Sequence, residues 1–291
     1  MRRGSASLEL LPEAPRGLAD VVNSVLRATA RLGADRDRAV NRFAQRLLDL
    51  LLWCLPGCHA ARGVFHRFTR VPGASSAIHL KPAAELAERV LLPGDPHRAL
   101  AVAQELLEQP KMFNHHRGLW GYTGKARDGE LLTIQATGMG GPSAAIVVEE
   151  LIALGARTLV RIGTCGALTD AHAIGDLVVP EAALALDGTS RALGANGRVL
   201  PDADLALAVD APRVTAATVD LFYGDPETGG ADVVEMECAT LFRIANLREV
   251  RAAAVLGVSD TLISTRQRIC AEQLETLGIR LGEAAWAALT R

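Results

Sequence analysis

From residue 76 onward, short runs of aliphatic and β-branched residues alternate with longer segments whose apolar positions have helical spacing. Strands are predicted at Arg89 to Leu92, Leu131 to Ala136, Thr158 to Ile162, Asp176 to Pro180, Val214 to Phe222 and Ala252 to Val258. Helices are predicted from about His97, from Pro142 to Leu154, through Cys238 to Ala245, and from about Glu272 to Leu289. This alternation predicts an α/β fold, in which residues 76–291 form a single domain with a central mixed sheet flanked by helices.

Residues 1–75 have a different pattern, rich in Arg, Ala and Leu and without a strand signal. The segment from Val21 to Leu52 could form one or two amphipathic helices. We therefore expect an N-terminal extension, helical or disordered, that is dispensable for chemistry. A partner-binding arm is the alternative interpretation.

The stretch from Gly138 to Leu168 predicts a loop, a helix and a strand in succession. A glycine loop precedes Pro142, whose fixed φ suits the first helical residue, and Gly155 ends the helical run. A second glycine loop, Gly163 to Gly166, is predicted at the end of the strand that carries Arg161, where open α/β sheets bind ligands. The spacing of these glycines fits neither a dinucleotide fingerprint nor a Walker loop. Ordinary turn glycines in a βαβ unit are the alternative.

A second anion-binding element is predicted before the first helix. Asp95 is placed to cap this helix, and Pro96 suits its first turn. The N-terminal amides and Arg98 would then face an anion together.

The bulk composition narrows the classes of function. The 291 residues are 49% hydrophobic and 22% charged, which is typical of a globular protein. A net charge of −2 and an aromatic content of 4% argue against a nucleic-acid partner. The longest apolar run, Leu47 to Pro56, is shorter than the roughly 20 residues that a membrane helix needs, so no membrane association is expected.

The five cysteines are odd in number and lie mostly in apolar runs, which favours a reduced, cytoplasmic protein. Cys54 and Cys58 form a CxxxC pair without a second pair. No metal site is predicted from them.

Seven motifs occur in the order found in the nucleoside phosphorylase family, which includes bacterial purine nucleoside phosphorylases and uridine phosphorylases. The chain resembles this family from His79 to about Asp260. The motifs are Gly94-Asp95-Pro96-His97-Arg98, Asn114 to Gly118, Gly138 to Ser143, Arg161 to Gly166, Asp220 to Tyr223, Val234 to Glu237, and Val258-Ser259-Asp260.

The resemblance implies a phosphate site and no cofactor, with inorganic phosphate as co-substrate. Arg98 and Arg161 would supply charge-assisted hydrogen bonds, and Arg161 is also expected to take part in catalysis. Arg117 would reach the phosphate of a neighbouring subunit. The full set of phosphate-binding residues that the resemblance implies is Gly94, Arg98, Arg117, Gly140, Arg161 and Thr164.

The resemblance also implies which residues hold the nucleoside. His79 would reach the ribose of a neighbouring subunit, while Met236 and Glu237 would hold the ribose in their own subunit. The base would contact Gly166, Phe222, Val234 and Asp260. The expected partners are therefore nucleoside and phosphate, in a homo-oligomer that is a dimer, a trimer of dimers or a hexamer.

Asp260 favours purine substrates, because purine enzymes of this family have Ser-Asp here and use the Asp to protonate N7 of the leaving base. Uridine enzymes instead carry a Gln-x-Arg pair after the Phe-Tyr motif, where this chain has Gly224 to Thr228. An Arg supports the Asp in purine enzymes, and Arg266 or Arg268 could do so here, although the spacing does not match. The expected reaction is phosphorolysis of the N-glycosidic bond, giving free base and ribose or deoxyribose 1-phosphate.

Two alternatives remain at this point. A uridine phosphorylase is favoured by the Gly138 to Ser143 loop, which looks as much like the uridine enzymes. A non-catalytic nucleoside-binding protein is favoured by the segment from Gly224 to Val233, which is shorter than the family usually has. A hydrolytic nucleosidase of the same fold would not need Arg98 and Arg161.

Overall fold

The structure is a computed structural model that describes residues 77–225, 227–263 and 266–290. The chain divides into two units, Met1–Arg70 and Val71–Arg291, and the described residues lie in the second. The helices predicted between Val21 and Leu52 and the Cys54/Cys58 pair lie outside the described residues. The predicted domain boundary at residue 76 stays a prediction.

Eleven strands and six α-helices form the described part of the chain. The strands are β1 (Arg89–Pro93), β2 (Leu107–Asn114), β3 (Gly121–Ala126), β4 (Leu131–Gln135), β5 (Thr158–Ala167), β6 (Leu177–Ala185), β7 (Arg198–Val199), β8 (Arg213–Thr218), β9 (Val233–Glu235), β10 (Arg251–Thr261) and β11 (Gln267–Arg268). The helices are α1 (Pro96–Leu106), α2 (Gly141–Leu154), α3 (Gly188–Ala192), α4 (Ala203–Ala208), α5 (Cys238–Arg248) and α6 (Ala271–Leu289), with a 3₁₀ turn at His116–Gly118.

The strands form one mixed sheet, which confirms the predicted fold class. Strand β5 lies at its centre, parallel to β1 and β10 and antiparallel to β9. Strand β10 continues to β6, β6 pairs with β8, and β8 pairs with β9. These five pairings return to β5, so β5, β10, β6, β8 and β9 make a closed circuit. The remaining strands extend from β5 as an open arm in the order β1, β4, β3, β2.

Apolar side chains cover both faces of this sheet. On one face, Val147 and Leu151 of α2 and Phe242 of α5 pack with Leu159 of β5. On the other face, α1 and α6 pack with Ile162 of β5. Burial on both faces explains why the apolar residues Leu159, Val160 and Ile162 of β5 do not alternate strictly with polar ones. None of the described helices is both long and apolar enough to cross a membrane.

The helix ends follow the predicted signals. The Asp95 carboxylate accepts hydrogen bonds from the backbone N–H groups of His97 and Arg98 and caps α1. Gly155 ends α2 with a φ of 123°, a conformation that favours glycine.

Three sequence predictions about local structure were wrong. Gly163 to Gly166 is not a loop, because β5 continues through it to Ala167, paired with β10 on one side and β9 on the other. Strand β8 ends at Thr218, which leaves Phe222 in a loop. Asp260 does not follow the last strand but lies within β10. The elements β2, α3, β7, α4, β9 and β11 were not predicted.

Candidate active site

A cavity of about 590 Å³ opens at the carboxyl ends of the central strands. This edge is where open α/β sheets bind ligands. Ten of the thirteen predicted site residues line the cavity, namely Gly94, Arg98, Arg161, Thr164, Gly166, Phe222, Val234, Met236, Glu237 and Asp260. The other three, His79, Arg117 and Gly140, are not part of the lining.

Arg161 rises from the middle of β5 and is 5% exposed. Its Nη2 donates to the carboxylate of Glu237, and its Nε lies 3.5 Å from Glu235 Oε2. Burial lowers the pKa of Arg161, but the carboxylates of Glu237 and Glu235 outweigh burial and hold that pKa above its usual range. The guanidinium is therefore a permanent cation, and its buried Nη1 has no hydrogen-bond partner.

Gly163 is what allows this conformation of Arg161. A Cβ added to Gly163 would lie 2.7 Å from Arg161 Nη2, a distance that real Cβ atoms do not show. The glycine predicted to form a loop thus serves a different purpose, because it leaves space beside the strand for the folded-back guanidinium.

Arg98 brings a second guanidinium to the cavity from the first turn of α1. Its Nη1 donates to the carbonyl oxygen of Ile162 at 3.3 Å. Burial, and then the positive charge of Arg161, lower the pKa of Arg98 from its usual value. Two cations therefore converge on one end of the cavity, close to Gly94 and Thr164. This is an environment that favours an anion.

Glu237 lies between these cations and the glycine loop, and it is 5% exposed. The backbone N–H of Gly140 donates to its Oε1 at 2.5 Å, while Arg161 contacts its Oε2. The amide of Gly140 is thus engaged by Glu237, and its predicted contact with phosphate stays a prediction. A carboxylate offers about four lone-pair sites. Glu237 can accept further hydrogen bonds from a ligand.

Glu235 was missed by the sequence analysis. Its fully buried carboxylate accepts from Thr218 Oγ1 at 2.5 Å and from the backbone N–H groups of Glu237 at 2.8 Å and Cys238 at 2.9 Å. Burial raises the pKa of Glu235, against the attraction of Arg161. The signal in the sequence was the second acid of the Val234 to Glu237 motif, two residues before Glu237. Glu235 holds the start of α5 and hence the backbone of Glu237.

Asp260 lies near the end of β10 and is 5% exposed. Its Oδ1 is 3.0 Å from Arg266 Nη2 and 3.2 Å from Arg268 Nε, and Ser259 Oγ donates to its Oδ2 at 2.7 Å. Both arginines that the sequence offered as its support therefore contact it. Asp260 is held here as a salt-bridged carboxylate.

Apolar groups surround the cavity on the side of Asp260. Phe222 is 46% exposed, and the guanidinium of Arg266 lies 4.8 Å from its ring centroid. A Cβ at Gly166 would lie 2.9 Å from Leu262 Cδ1 and 3.3 Å from Val234 Cγ1, so glycine lets these side chains close the wall. A flat apolar ligand fits this end of the cavity.

His79 and Arg117 lie away from the cavity of their own chain. His79 Nδ1 is 2.7 Å from Glu150 Oε1. Glu150 also accepts from the backbone N–H groups of Ile78, His79 and Leu80. Arg117 is exposed, with a left-handed φ of 61°. Their predicted contacts with a neighbouring subunit stay predictions.

Among residues 77–225, 227–263 and 266–290, no group of three or more His, Cys, Asp or Glu side chains is arranged to hold a metal ion.

Comparison with known proteins gives a consistent result. The sequence profile of the phosphorylase superfamily matches residues 88–280. A purine nucleoside phosphorylase DeoD-type from Geobacillus kaustophilus is 36% identical over 223 residues, which cover 70% of this chain and 94% of that protein. A protein of the same name from Clostridium perfringens is 36% identical over 225 residues, which cover 71% of this chain and 95% of that protein.

Proposed function

The chain belongs to the phosphorylase superfamily, and from this premise we propose that it is a pentosyltransferase that cleaves purine nucleosides with inorganic phosphate. The products are the free base and ribose or deoxyribose 1-phosphate. The observation that carries the proposal is the buried, unpartnered Nη1 of Arg161, which lies in a cavity beside a second guanidinium from Arg98. A buried donor without a partner is costly, and a bound anion would satisfy it.

Phosphate binds between the two guanidiniums. Arg161 Nη1 and the Arg98 fork donate charge-assisted hydrogen bonds, and the Thr164 hydroxyl adds a neutral one. Glu237 keeps Arg161 fixed while leaving Nη1 free. Phosphate is thereby held for attack on C1′ of the sugar.

The ribose lies over Glu237 and Met236. As the C1′–N9 bond breaks, the sugar acquires positive charge, and the carboxylate of Glu237 stabilises that charge while accepting from the ribose hydroxyls. Glu235 contributes indirectly, because its hydrogen bonds to the amides of Glu237 and Cys238 fix the start of α5.

The base lies against Phe222, Val234 and Gly166, with Asp260 at its polar edge. Asp260 protonates N7 as the glycosidic bond breaks, so the purine departs as a neutral molecule. In the described structure Asp260 is paired with Arg266 and Arg268. These contacts must loosen when the base binds, because an acid has to carry a proton before it can donate one.

The proposed enzyme is a homo-oligomer, as a dimer, a trimer of dimers or a hexamer, and it needs no cofactor and works in the cytoplasm. The oligomer is supported by the exposed Arg117 and the half-buried His79, which are expected to contact a neighbouring subunit and which lie outside the cavity of their own chain. Light scattering should give at least a dimer. A fully active monomer would contradict this part of the proposal.

A cleavage screen with inosine, guanosine, adenosine and uridine, with and without phosphate, tests the proposed function. We expect cleavage of the purine nucleosides that depends on phosphate and yields the sugar 1-phosphate. Preference for uridine would assign the chain to pyrimidine phosphorolysis instead. Cleavage without phosphate would identify a hydrolase, and binding without turnover would identify a nucleoside-binding protein.

A further inference from the structure

Arg98 reaches the cavity by crossing the surface of helix α6. A Cβ added to Gly278, in the middle of α6, would lie 3.2 Å from Arg98 Cγ, 3.4 Å from Nε and 3.5 Å from Cδ. Three successive heavy atoms of the arginine therefore lie flat against the position where any other residue would carry a side chain. A Cβ at this position would be in ordinary contact with Nε and Cδ and too close to Cγ by a few tenths of an ångström, so the stem of Arg98 would have to shift.

Little else holds the guanidinium of Arg98 in place. Within the described residues, its guanidinium donates one hydrogen bond, from Nη1 to the carbonyl oxygen of Ile162, at 3.3 Å. No carboxylate forms a salt bridge with it within the described ranges, whereas Arg161 pairs with Glu237 and Glu235. Burial first, and then repulsion from Arg161, lower the pKa of Arg98. Packing against α6 is thus the main restraint on its position.

We propose that Gly278 is a positioning residue for phosphate, because its bare backbone seats the Arg98 side chain so that the guanidinium faces the cavity. The inference rests on the proposed function and extends it from the cavity lining to a residue behind it. A side chain at position 278 would push the stem of Arg98 by a few tenths of an ångström for alanine, and further for a larger residue, and so shift its donors relative to the anion. Charge-assisted hydrogen bonds depend on short distances and good alignment, so a small displacement weakens binding.

Gly282 provides a matched control on the same helix. A Cβ at Gly282 would lie 2.6 Å from Val102 Cγ1, in the apolar contact between α6 and α1. Both glycines allow α6 to approach α1 closely, but Gly282 faces a core valine and Gly278 faces Arg98. Substitution at 282 should therefore disturb packing, while substitution at 278 should disturb phosphate binding.

The test compares Gly278→Ala, Gly278→Leu and Gly282→Ala by phosphate KM, nucleoside KM, thermal unfolding and calorimetric titration with inorganic phosphate. We expect Gly278→Ala to raise the phosphate KM and Kd about 3- to 10-fold, and Gly278→Leu to raise them further. Nucleoside KM should stay unchanged, and the unfolding temperature of Gly278→Ala should not fall, since alanine is the better helix former. Gly282→Ala should lower the unfolding temperature and leave the phosphate KM unchanged.

A second pair of variants tests whether a substitution at Gly278 changes phosphate binding through Arg98. In an Arg98→Ala background, Gly278→Ala should cause no further rise in phosphate KM, because the side chain that it displaces is absent. An additive effect, or an unchanged phosphate Kd in the folded Gly278→Ala protein, would overturn the inference. The titration measures phosphate binding without turnover. If the wild-type protein bound phosphate but did not cleave purine nucleosides, the proposed function would be refuted, and the comparison of phosphate Kd between wild type and Gly278→Ala would still decide the role of Gly278.

Discussion

The two sides of the cavity are built differently. The inner side consists of buried charges carried by the ends of strands or the start of α5, with Arg161, Glu237 and Asp260 each 5% exposed. The outer side consists of loop residues that are far more accessible, with Phe222 at 46% and Leu221 at 64%. Buried charges in paired strands have few alternative positions, whereas loop side chains have many. The buried charges of the inner side therefore determine the reaction, whereas the side chains of the outer side can take different positions around the base.

This contrast predicts that substitutions on the inner side are costly and that substitutions on the outer side are mild. The largest loss is expected for Asp260→Asn, which keeps the size of the side chain but removes its acid. Turnover of inosine should fall about 10²- to 10⁴-fold. The measurement is steady-state kinetics at saturating phosphate.

7-Methylguanosine is the control substrate for Asp260→Asn, because its N7 is already alkylated and needs no proton. Its cleavage should decline far less than that of inosine. Equal losses on both substrates would mean that Asp260 serves only as a structural partner of Arg266 and Arg268.

The next largest effect is expected for Arg161→Ala. Removing charge-assisted hydrogen bonds worth about 1.5–3 kcal/mol each should raise the phosphate KM about 10- to 100-fold. The variant also leaves Glu235 and Glu237 unpaired, so its free energy of unfolding should fall by about 3–5 kcal/mol. Denaturant titration and phosphate-dependent kinetics measure the two effects separately.

Arg157→Ala is the matched control for Arg161→Ala, because Arg157 is exposed and lies just before β5. Arg157→Ala should leave both the phosphate KM and the free energy of unfolding close to the wild-type values. A folded Arg161→Lys variant that keeps the wild-type phosphate KM would show that the fork of the guanidinium is not needed, contrary to the proposed site.

A smaller effect is expected on the outer side. Phe222→Ala should raise the nucleoside KM about 2- to 10-fold and leave kcat nearly unchanged, since it removes an exposed aromatic contact. Tyr223→Ala, at a neighbouring position that is 82% exposed and outside the cavity lining, is the control. If Phe222→Ala were as damaging as Arg161→Ala, the contrast between the two sides would be wrong.

The smallest effect is expected from removing residues 1–75, which carry none of the site residues. A chain starting at Ser76 keeps Ile78 to Leu80, whose amides are bound by Glu150, and should retain kcat/KM within about twofold. A chain starting after Leu80 loses those contacts and should unfold at a lower temperature. Loss of activity in the first truncation would assign the extension to the core or to an interface.

The sequence predicted the inner side better than the outer side, for a physical reason. Arg161 lies in a strongly patterned strand and Glu237 next to a patterned helix, so periodicity located both elements, while the resemblance to the family supplied the roles of the two residues. The contact of Arg266 with Phe222 joins two exposed loops, whose courses no periodicity specifies. The sequence therefore offered Arg266 and Arg268 as partners of Asp260 but could not decide between them.

One mistake about the inner side came from treating glycine as a sign of a turn. Gly163 and Gly166 lie inside β5, where the missing side chains leave room for Arg161 and Leu262. Composition alone cannot distinguish a glycine that bends the chain from one that leaves space for a neighbour. Glu235 was missed because a buried acid that caps a helix and one that binds a ligand have the same local sequence.

The closed circuit of β5, β10, β6, β8 and β9 has a consequence for hydrogen exchange. Neither β5 nor β10 has a free edge along the cavity floor, so their amides cannot reach solvent by peeling away a single strand. These amides should exchange only through global opening of the domain, at the slowest rate in residues 77–290. Amides near Phe222 should exchange orders of magnitude faster through local fluctuations. The substrate would therefore enter beside the fast-exchanging loop around Phe222, while the amides of β5 and β10 remain protected from exchange.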